Sequence, residues 1–227
     1  GRMTHAEVLA RWIDRDGRAH APAEFASVLT DHRMAERLTR RVVGEALALK
    51  ATGELPPDVK LSVNLTALDL ANPEFVFDFC AMLRAHGQTW EAVIFEVTET
   101  TMLCSEHDQV FRTLMELRER GAQVALDDFG TGFGGLSHLL QWPVDILKID
   151  RSFVARMDAN PRHRMVIEAI LGIARQAGLT VIAEGIETEA QHAALRALGC
   201  PYGQGYLFSQ PGAEIAEALV DPPRARA

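Results

Sequence analysis

Apolar residues in this chain follow two alternating patterns. Short runs rich in Val, Ile, Leu and Phe are separated by longer segments whose apolar positions recur at helical spacing, the pattern of strand-helix units built on a parallel sheet. The runs at 6–12, 61–65, 93–97, 123–127, 146–149, 180–183 and 203–208 predict seven strands. Helix signals lie between them. Asn72-Pro73 opens a helix that stops at Gly87, and Ser105 with Asp108 opens one that stops at Gly121. Asn160-Pro161 and Gly178 frame a third, and Thr188 with Gln191 forms a capping box for a fourth, closed by Gly199. The stretch 22–53 is long enough for two more. Connections are short and no Ser/Gly/Pro-rich linker divides the chain, so residues 1–227 are expected to form a single domain of the α/β class.

Units at this spacing suit an open doubly wound sheet or a closed barrel, and the strand ends choose between them. At or just past the C-terminal end of each run stand Glu7, Asn64, Glu96 with Glu99, Asp127 with Asp128, Lys148 with Asp150, Glu184 with Glu187, and Gln204. Nearly every unit delivers a charged or amide group to one edge. A barrel gathers all strand ends around a single mouth, whereas an open sheet concentrates ligands at one crevice, so the barrel fits the distribution better. Glu7 and Gln204 fall inside their apolar runs and must therefore point inward or be buried with a partner.

Composition narrows the chemistry. With 31 Asp plus Glu against 23 Lys plus Arg the net charge is −8, and no basic tract is present, which excludes a nucleic-acid polymer as the expected partner. No apolar stretch reaches a membrane-spanning length and no leader pattern opens the chain, so a cytoplasmic location is the default expectation. Cys80, Cys104 and Cys200 are odd in number and far apart, which argues against a disulfide framework or a thiolate zinc site. Five or more carboxylates converging on one mouth repel one another unless cations sit among them. All the candidate ligands are oxygen donors, which suits magnesium or manganese. Asp127, in an Asp-Asp pair, can bridge two such ions about 4 Å apart, the arrangement used for phosphodiester hydrolysis. Lys148 is then the fixed cation of the cluster, placed to orient the attacking water or offset phosphoryl charge.

Plainer explanations compete. A single Asp or Glu after a strand serves equally well as a helix N-cap, and Glu7 and Lys148 could simply pair with each other. Gly130-Thr131-Gly132-Phe133-Gly134-Gly135 matches a dinucleotide fingerprint with Asp150 beyond it, but Asp127 and Asp128 directly before the glycines would oppose a pyrophosphate. Asp128-Phe129-Gly130 spells a kinase triplet without the other kinase motifs.

Together the motifs resemble the EAL-domain phosphodiesterases that hydrolyse the bacterial second messenger cyclic di-GMP. The resemblance covers about residues 1–211. It is carried by Ala6-Glu7-Val8-Leu9-Ala10-Arg11-Trp12, Val63-Asn64-Leu65-Thr66, Phe95-Glu96-Val97-Thr98-Glu99-Thr100, Ala125-Leu126-Asp127-Asp128-Phe129-Gly130-Thr131-Gly132, Leu147-Lys148-Ile149-Asp150-Arg151-Ser152-Phe153-Val154, Ala183-Glu184-Gly185-Ile186-Glu187-Thr188 and Gln204-Gly205-Tyr206-Leu207-Phe208. It implies a modified barrel of the triosephosphate isomerase type and two magnesium or manganese ions. One ion would be held by Glu7, Asn64, Glu96 and Asp127, the other by Asp127, Asp128 and Glu184. Lys148 would position the water, with Glu184 able to assist its deprotonation. Arg11 would grip a substrate phosphate, Asp150 and Gln204 would support the site, and Glu99 would anchor the glycine-rich loop. A homodimer, and sensory or partner domains in a longer parent protein, belong to the same expectation. Besides Val8, which replaces the usual alanine of the first motif, three features depart from the family. Phe133-Gly134-Gly135 stands where Tyr-Ser-Ser is usual, which leaves open a receptor that binds the ligand without turnover; Ser209-Gln210 replaces a common Gly-Arg; and the chain starts too late to include the family's first strand with its Gln-Pro-Ile motif.

Overall fold

The computed structural model describes residues 2–25, 30–103, 107–131, 139 and 141–211. Its strands are β1 (His5–Val8), β2 (Trp12–Ile13), β3 (Ala19–His20), β4 (Lys60–Asn64), β5 (Val93–Thr98), β6 (Gln123–Phe129), β7 (Ile146–Ile149), β8 (Thr180–Ala183) and β9 (Tyr202–Gly203). Seven of them form one all-parallel sheet in the order β1-β4-β5-β6-β7-β8-β9, and β2 with β3 makes a separate antiparallel hairpin. The helices are α1 (His32–Ala51), α2 (Ala67–Ala71), α3 (Phe75–Ala85), α4 (Glu99–Met102), α5 (His107–Glu119), α6 (Arg151–Val154), α7 (Pro161–Ala177) and α8 (Glu189–Ala197).

Alternation along each strand builds two different walls. Outward residues such as Val63, Phe95, Val97, Leu126, Leu147, Ile149 and Val181 join the main apolar core with the helices. Inward, Ile94, Ala125, Ile146 and Ile182 form a second, smaller apolar cluster with Met3 and Tyr202 against it. Since side chains repeat on one face every second residue, the next inward positions are Glu96, Asp127, Lys148 and Glu184. The same step takes His5 to Glu7, Ser62 to Asn64 and Tyr202 to Gln204. The interior therefore has an apolar floor with an ionised layer directly above it. The sheet curls into an incomplete barrel: its two edge strands meet through Gln204 Nε2, 2.7 Å from Glu7 Oε2, and through the His5 and Tyr202 rings, 5.9 Å apart.

Two helix starts follow the expected chemistry, whereas α3 begins only at Phe75 behind Glu74, and Asn72 is the C-cap of α2. Asn160 caps α7 ahead of Pro161, Gly178 closes it in the left-handed region at φ 71°, and Thr188 with Gln191 forms the capping box of α8. Ser105 lies outside the described residues. Four further differences from the sequence expectation appear. The run at 6–12 is strand only to Val8, after which Trp12 and Ile13 enter the hairpin and are exposed, so their apolar character does not mark a sheet core. The run at 203–208 yields only the two-residue β9, since Gly205 then packs directly on the Ile186 backbone. β6 extends to Phe129 through a register irregularity. In the stretch 22–53 the described elements are a 3-10 turn at Pro22–Glu24 and the 20-residue α1.

Candidate metal centre

Three of the functional side chains, Asn64, Glu96 and Lys148, leave strand ends that a short cap then turns away. Thr66, Thr98 and Asp150 cap α2, α4 and α6 immediately beyond β4, β5 and β7, so the chain departs the mouth within a residue or two of Asn64, Glu96 and Lys148. At β6 the exit is different: Asp128 takes φ 55°, a left-handed conformation uncommon outside glycine, which re-aims the backbone between Asp127 and Phe129.

Lys148 is the centre of the layer. It is 1% exposed, and its Nζ lies 2.7 Å from Glu96 Oε2, 2.7 Å from Glu184 Oε1 and 3.1 Å from Asp127 Oδ1. Burial alone would lower its pKa, but Glu96, Glu184, Glu7 and Asp127 hold the ammonium well above its ordinary value. Burial pushes the carboxyls of Glu96 and Glu184 up, against the pull of Lys148. Asp128 is raised by burial and then by its neighbours Asp127 and Asp150. One ammonium thus faces the five carboxylates of Glu7, Glu96, Asp127, Asp128 and Glu184, and the surplus is negative. That imbalance is what a divalent cation would correct.

Asp127, Asp128 and Glu184 each offer a carboxylate oxygen within 4.8 Å of the others. All-oxygen donors at this spacing fit magnesium or manganese. The second expected set is adjacent but differently engaged. Glu7 accepts from Asn64 Nδ2 at 3.0 Å and from Gln204 Nε2 at 2.7 Å, while Glu96 is held by Lys148 and by the hydroxyl of Ser62. Glu7 and Lys148 do not form the simple pair that was the alternative. Ser62 is the contributor that motif reasoning missed; the signal was a lone hydroxyl two residues before Asn64, on the same face of β4.

The remaining positions are placed as follows. Glu99, buried at the start of α4, accepts the Gly130 N–H at 3.1 Å. Asp150 is 9% exposed and accepts from Ser152 N at 3.0 Å, so it is a helix cap as well as a neighbour of Asp128. Arg11 is exposed on the segment leading into the hairpin, its Nη1 donating to Ala10 O at 2.7 Å. Glu187 is exposed, its own N–H bonded to Gln191. Phe133, Gly134 and Gly135 lie outside the described residues.

Comparison with known proteins agrees with this geometry. The family model described as "EAL domain" matches residues 1–211. The cyclic di-GMP phosphodiesterase RocR of Pseudomonas aeruginosa is 31% identical over 93% of this chain and 54% of its own length. The probable cyclic di-GMP phosphodiesterase PdeG of Escherichia coli is 32% identical over 100% of this chain and 45% of its length. The chain thus spans about half the length of these two relatives. Among solved structures, the PaMucR phosphodiesterase in complex with c-di-GMP superposes with a TM-score of 0.85 at 31% identity, covering 93% of this chain and 86% of that one. An incomplete barrel with an ionised mouth, the motifs at its strand ends and a match over nearly the whole chain have one explanation: this chain belongs to the EAL domain family.

Proposed function

We propose that this protein is a divalent-metal-dependent phosphodiesterase that opens cyclic di-GMP to linear pGpG. The observation that carries the proposal is the buried Lys148 ammonium surrounded by Glu96, Asp127 and Glu184, beside a three-carboxylate donor group, in a chain whose relatives bear that activity in their names. Asp127, Asp128 and Glu184 would hold one cation, and Glu7, Asn64, Glu96 and Asp127 the other. When bound, the pair supplies Lewis-acid activation of a water and neutralises charge on the phosphate. Lys148 donates a hydrogen bond that fixes the attacking water, and Glu184, ionised when the cation is bound, accepts the proton that water loses. The water oxygen bonds to phosphorus as the bond from phosphorus to the ribose 3′ oxygen breaks, and the departing oxygen takes a proton from solvent water. Arg11 presents its guanidinium to a phosphate oxygen, Gln204 and Asp150 steady Glu7 and Asp128, and Glu99 fixes the start of the loop at Gly130. The ligand class places the protein in the bacterial cytoplasm, with regulatory segments supplied by a longer parent chain and a homodimer as the proposed assembly.

The test is incubation of the purified protein with cyclic di-GMP and magnesium or manganese. Linear product that disappears on chelation, and is lost in a folded Glu7→Ala variant, is the expected result. No product at micromolar enzyme overturns the enzyme assignment. Tight calorimetric binding without turnover would instead favour a receptor, the outcome to which the altered Phe133-Gly134-Gly135 sequence points.

A further inference from the structure

Directly after the strand that carries Glu7 and the segment that carries Arg11, the chain turns through the β2–β3 hairpin, where Trp12 faces His20. His20 is bonded at both ring nitrogens: Nε2 lies 2.9 Å from Asp14 Oδ2, and Nδ1 lies 3.1 Å from Glu24 Oε2. Each carboxylate is itself fixed through its other oxygen. Asp14 Oδ1 accepts the N–H groups of Asp16 and Arg18, both at 2.9 Å, and Glu24 Oε1 accepts that of Ala21 at 2.9 Å. A neutral imidazole has one N–H and one lone pair, so two carboxylates set against its two nitrogens call for the imidazolium. The ring also lies against Trp12 at 5.0 Å between centroids, and Phe25 meets the same indole edge-on at 6.4 Å. A cation at that distance is attracted to the indole face.

We propose that His20, as its cation, is a positioning residue that clasps the hairpin to the turn at Pro22–Glu24 and thereby holds Arg11 at the barrel mouth for a substrate phosphate. The positioning role rests on the phosphodiesterase assignment, because it acts through Arg11 as a phosphate ligand; the clasp does not. The charged groups that face the imidazole are Asp14 from the hairpin turn and Glu24 from the 3-10 turn, with Arg18 acting on Glu24. Hydrogen bonds to Asp14 and then Glu24 raise the His20 pKa above its ordinary 6.5. The sign follows: the clasp is complete below that ordinary value and is lost as pH rises through the raised one.

Steady-state kinetics of the full chain from about pH 6 to 9, paired with NMR titration of the His20 ring, tests this. The wild-type KM should rise along the His20 titration while kcat does not follow it. His20→Gln should raise KM about two- to fivefold at the acid end, the size set by a solvent-accessible ion pair, and abolish that limb. Asp14→Asn, which can keep the turn hydrogen bonds through Oδ1, should move the NMR midpoint and the KM limb together to lower pH. A His20 midpoint at or below 6.5 overturns the clasp. A His20→Gln KM equal to wild type, or kcat and KM altered with the pH limb retained, overturns the positioning role. A protein that neither cleaves nor binds cyclic di-GMP removes the positioning role along with the enzyme assignment, while the NMR midpoint still decides the clasp.

Discussion

A single side chain, Lys148, is the cation against which Glu96, Asp127 and Glu184 at the mouth of this barrel are set. At 1% exposure it offsets part of the carboxylate excess from beneath, where Glu96 is equally buried and Asp127 and Glu184 are only partly open to water. Burial lifts Glu96 to about 7 and Glu184 to about 8, so both bind protons more tightly folded than unfolded. Groups shifted this way favour the fold fully below their ordinary carboxylate range and stop doing so as pH rises through the folded values. Lys148 stays protonated in both states across that window and does not change the slope. Metal-free protein should therefore lose stability between about pH 5 and 8 from this cluster. Manganese should flatten the curve, and Glu184→Gln should flatten it in part; denaturant midpoints with and without the ion measure both. Stability that climbs over the same range, with no effect of Glu184→Gln, would contradict the charge accounting. Asp128 allows a second prediction, since its backbone sits at φ 55°. Asp128→Gly relieves the left-handed strain while loosening the unfolded chain, so stability should stay within about 1 kcal/mol of wild type. Turnover should collapse, because a carboxylate of the donor group is gone.

Among elements, the C-terminal turns decide whether the mouth closes. A Cβ on Gly205 would lie 2.3 Å from both the N and the O of Ile186, whose N–H and carbonyl already bond Gln204 O and Leu207 N at 3.0 Å each. Backbone cannot yield as a flexible side chain would, so Gly205→Ala should cost more than about 3 kcal/mol and displace Gln204 from Glu7. Urea unfolding reads the first effect and residual hydrolysis the second. The same contrast explains what the sequence made legible. β4, β5, β7 and β8 were found at nearly their true bounds because both faces are buried, and such strands read as continuous apolar runs. β1 and β9 were overextended because exposed Trp12 and half-buried Leu207 and Phe208 look equally apolar without being in the sheet. α2, α4 and α6, four or five residues each, carry too few positions for a helical period to register, although their caps Thr66, Thr98 and Asp150 were in plain view. The acids and Lys148 were legible because an ionisable group at a strand end is conspicuous. Ser62 was not, since a hydroxyl in a strand attracts no notice until the inward register places it against Glu96.

For the molecule as a whole, the sheet that carries the proposed ion ligands has two ends, and they are unequal to its middle. Among the described residues, β5, β6 and β7 each pair on both sides, whereas β1 pairs with β4 alone and β9 with β8 alone, and the edges meet through side chains such as Gln204 and Glu7. Local opening draws on the least-supported segments, so amide hydrogen exchange should be slowest in β5–β7 and fastest at β1 and β9. Ligands of the two proposed ions divide along this line. Asp127, Asp128 and Glu184 hang from β6 and the end of β8, but Glu7 hangs from the edge strand. If both ions bind, manganese ties β1 to the centre of the sheet, and its amides should gain more protection than those of β6. Protection confined to β6 and β8 would mean that only the Asp127-Asp128-Glu184 group holds metal, leaving Glu7 to its hydrogen bonds with Asn64 and Gln204. Glu7→Gln separates these cases in the same experiment: it keeps an acceptor for both amides but removes the charge, so the edge-strand gain should vanish while that of β6 persists.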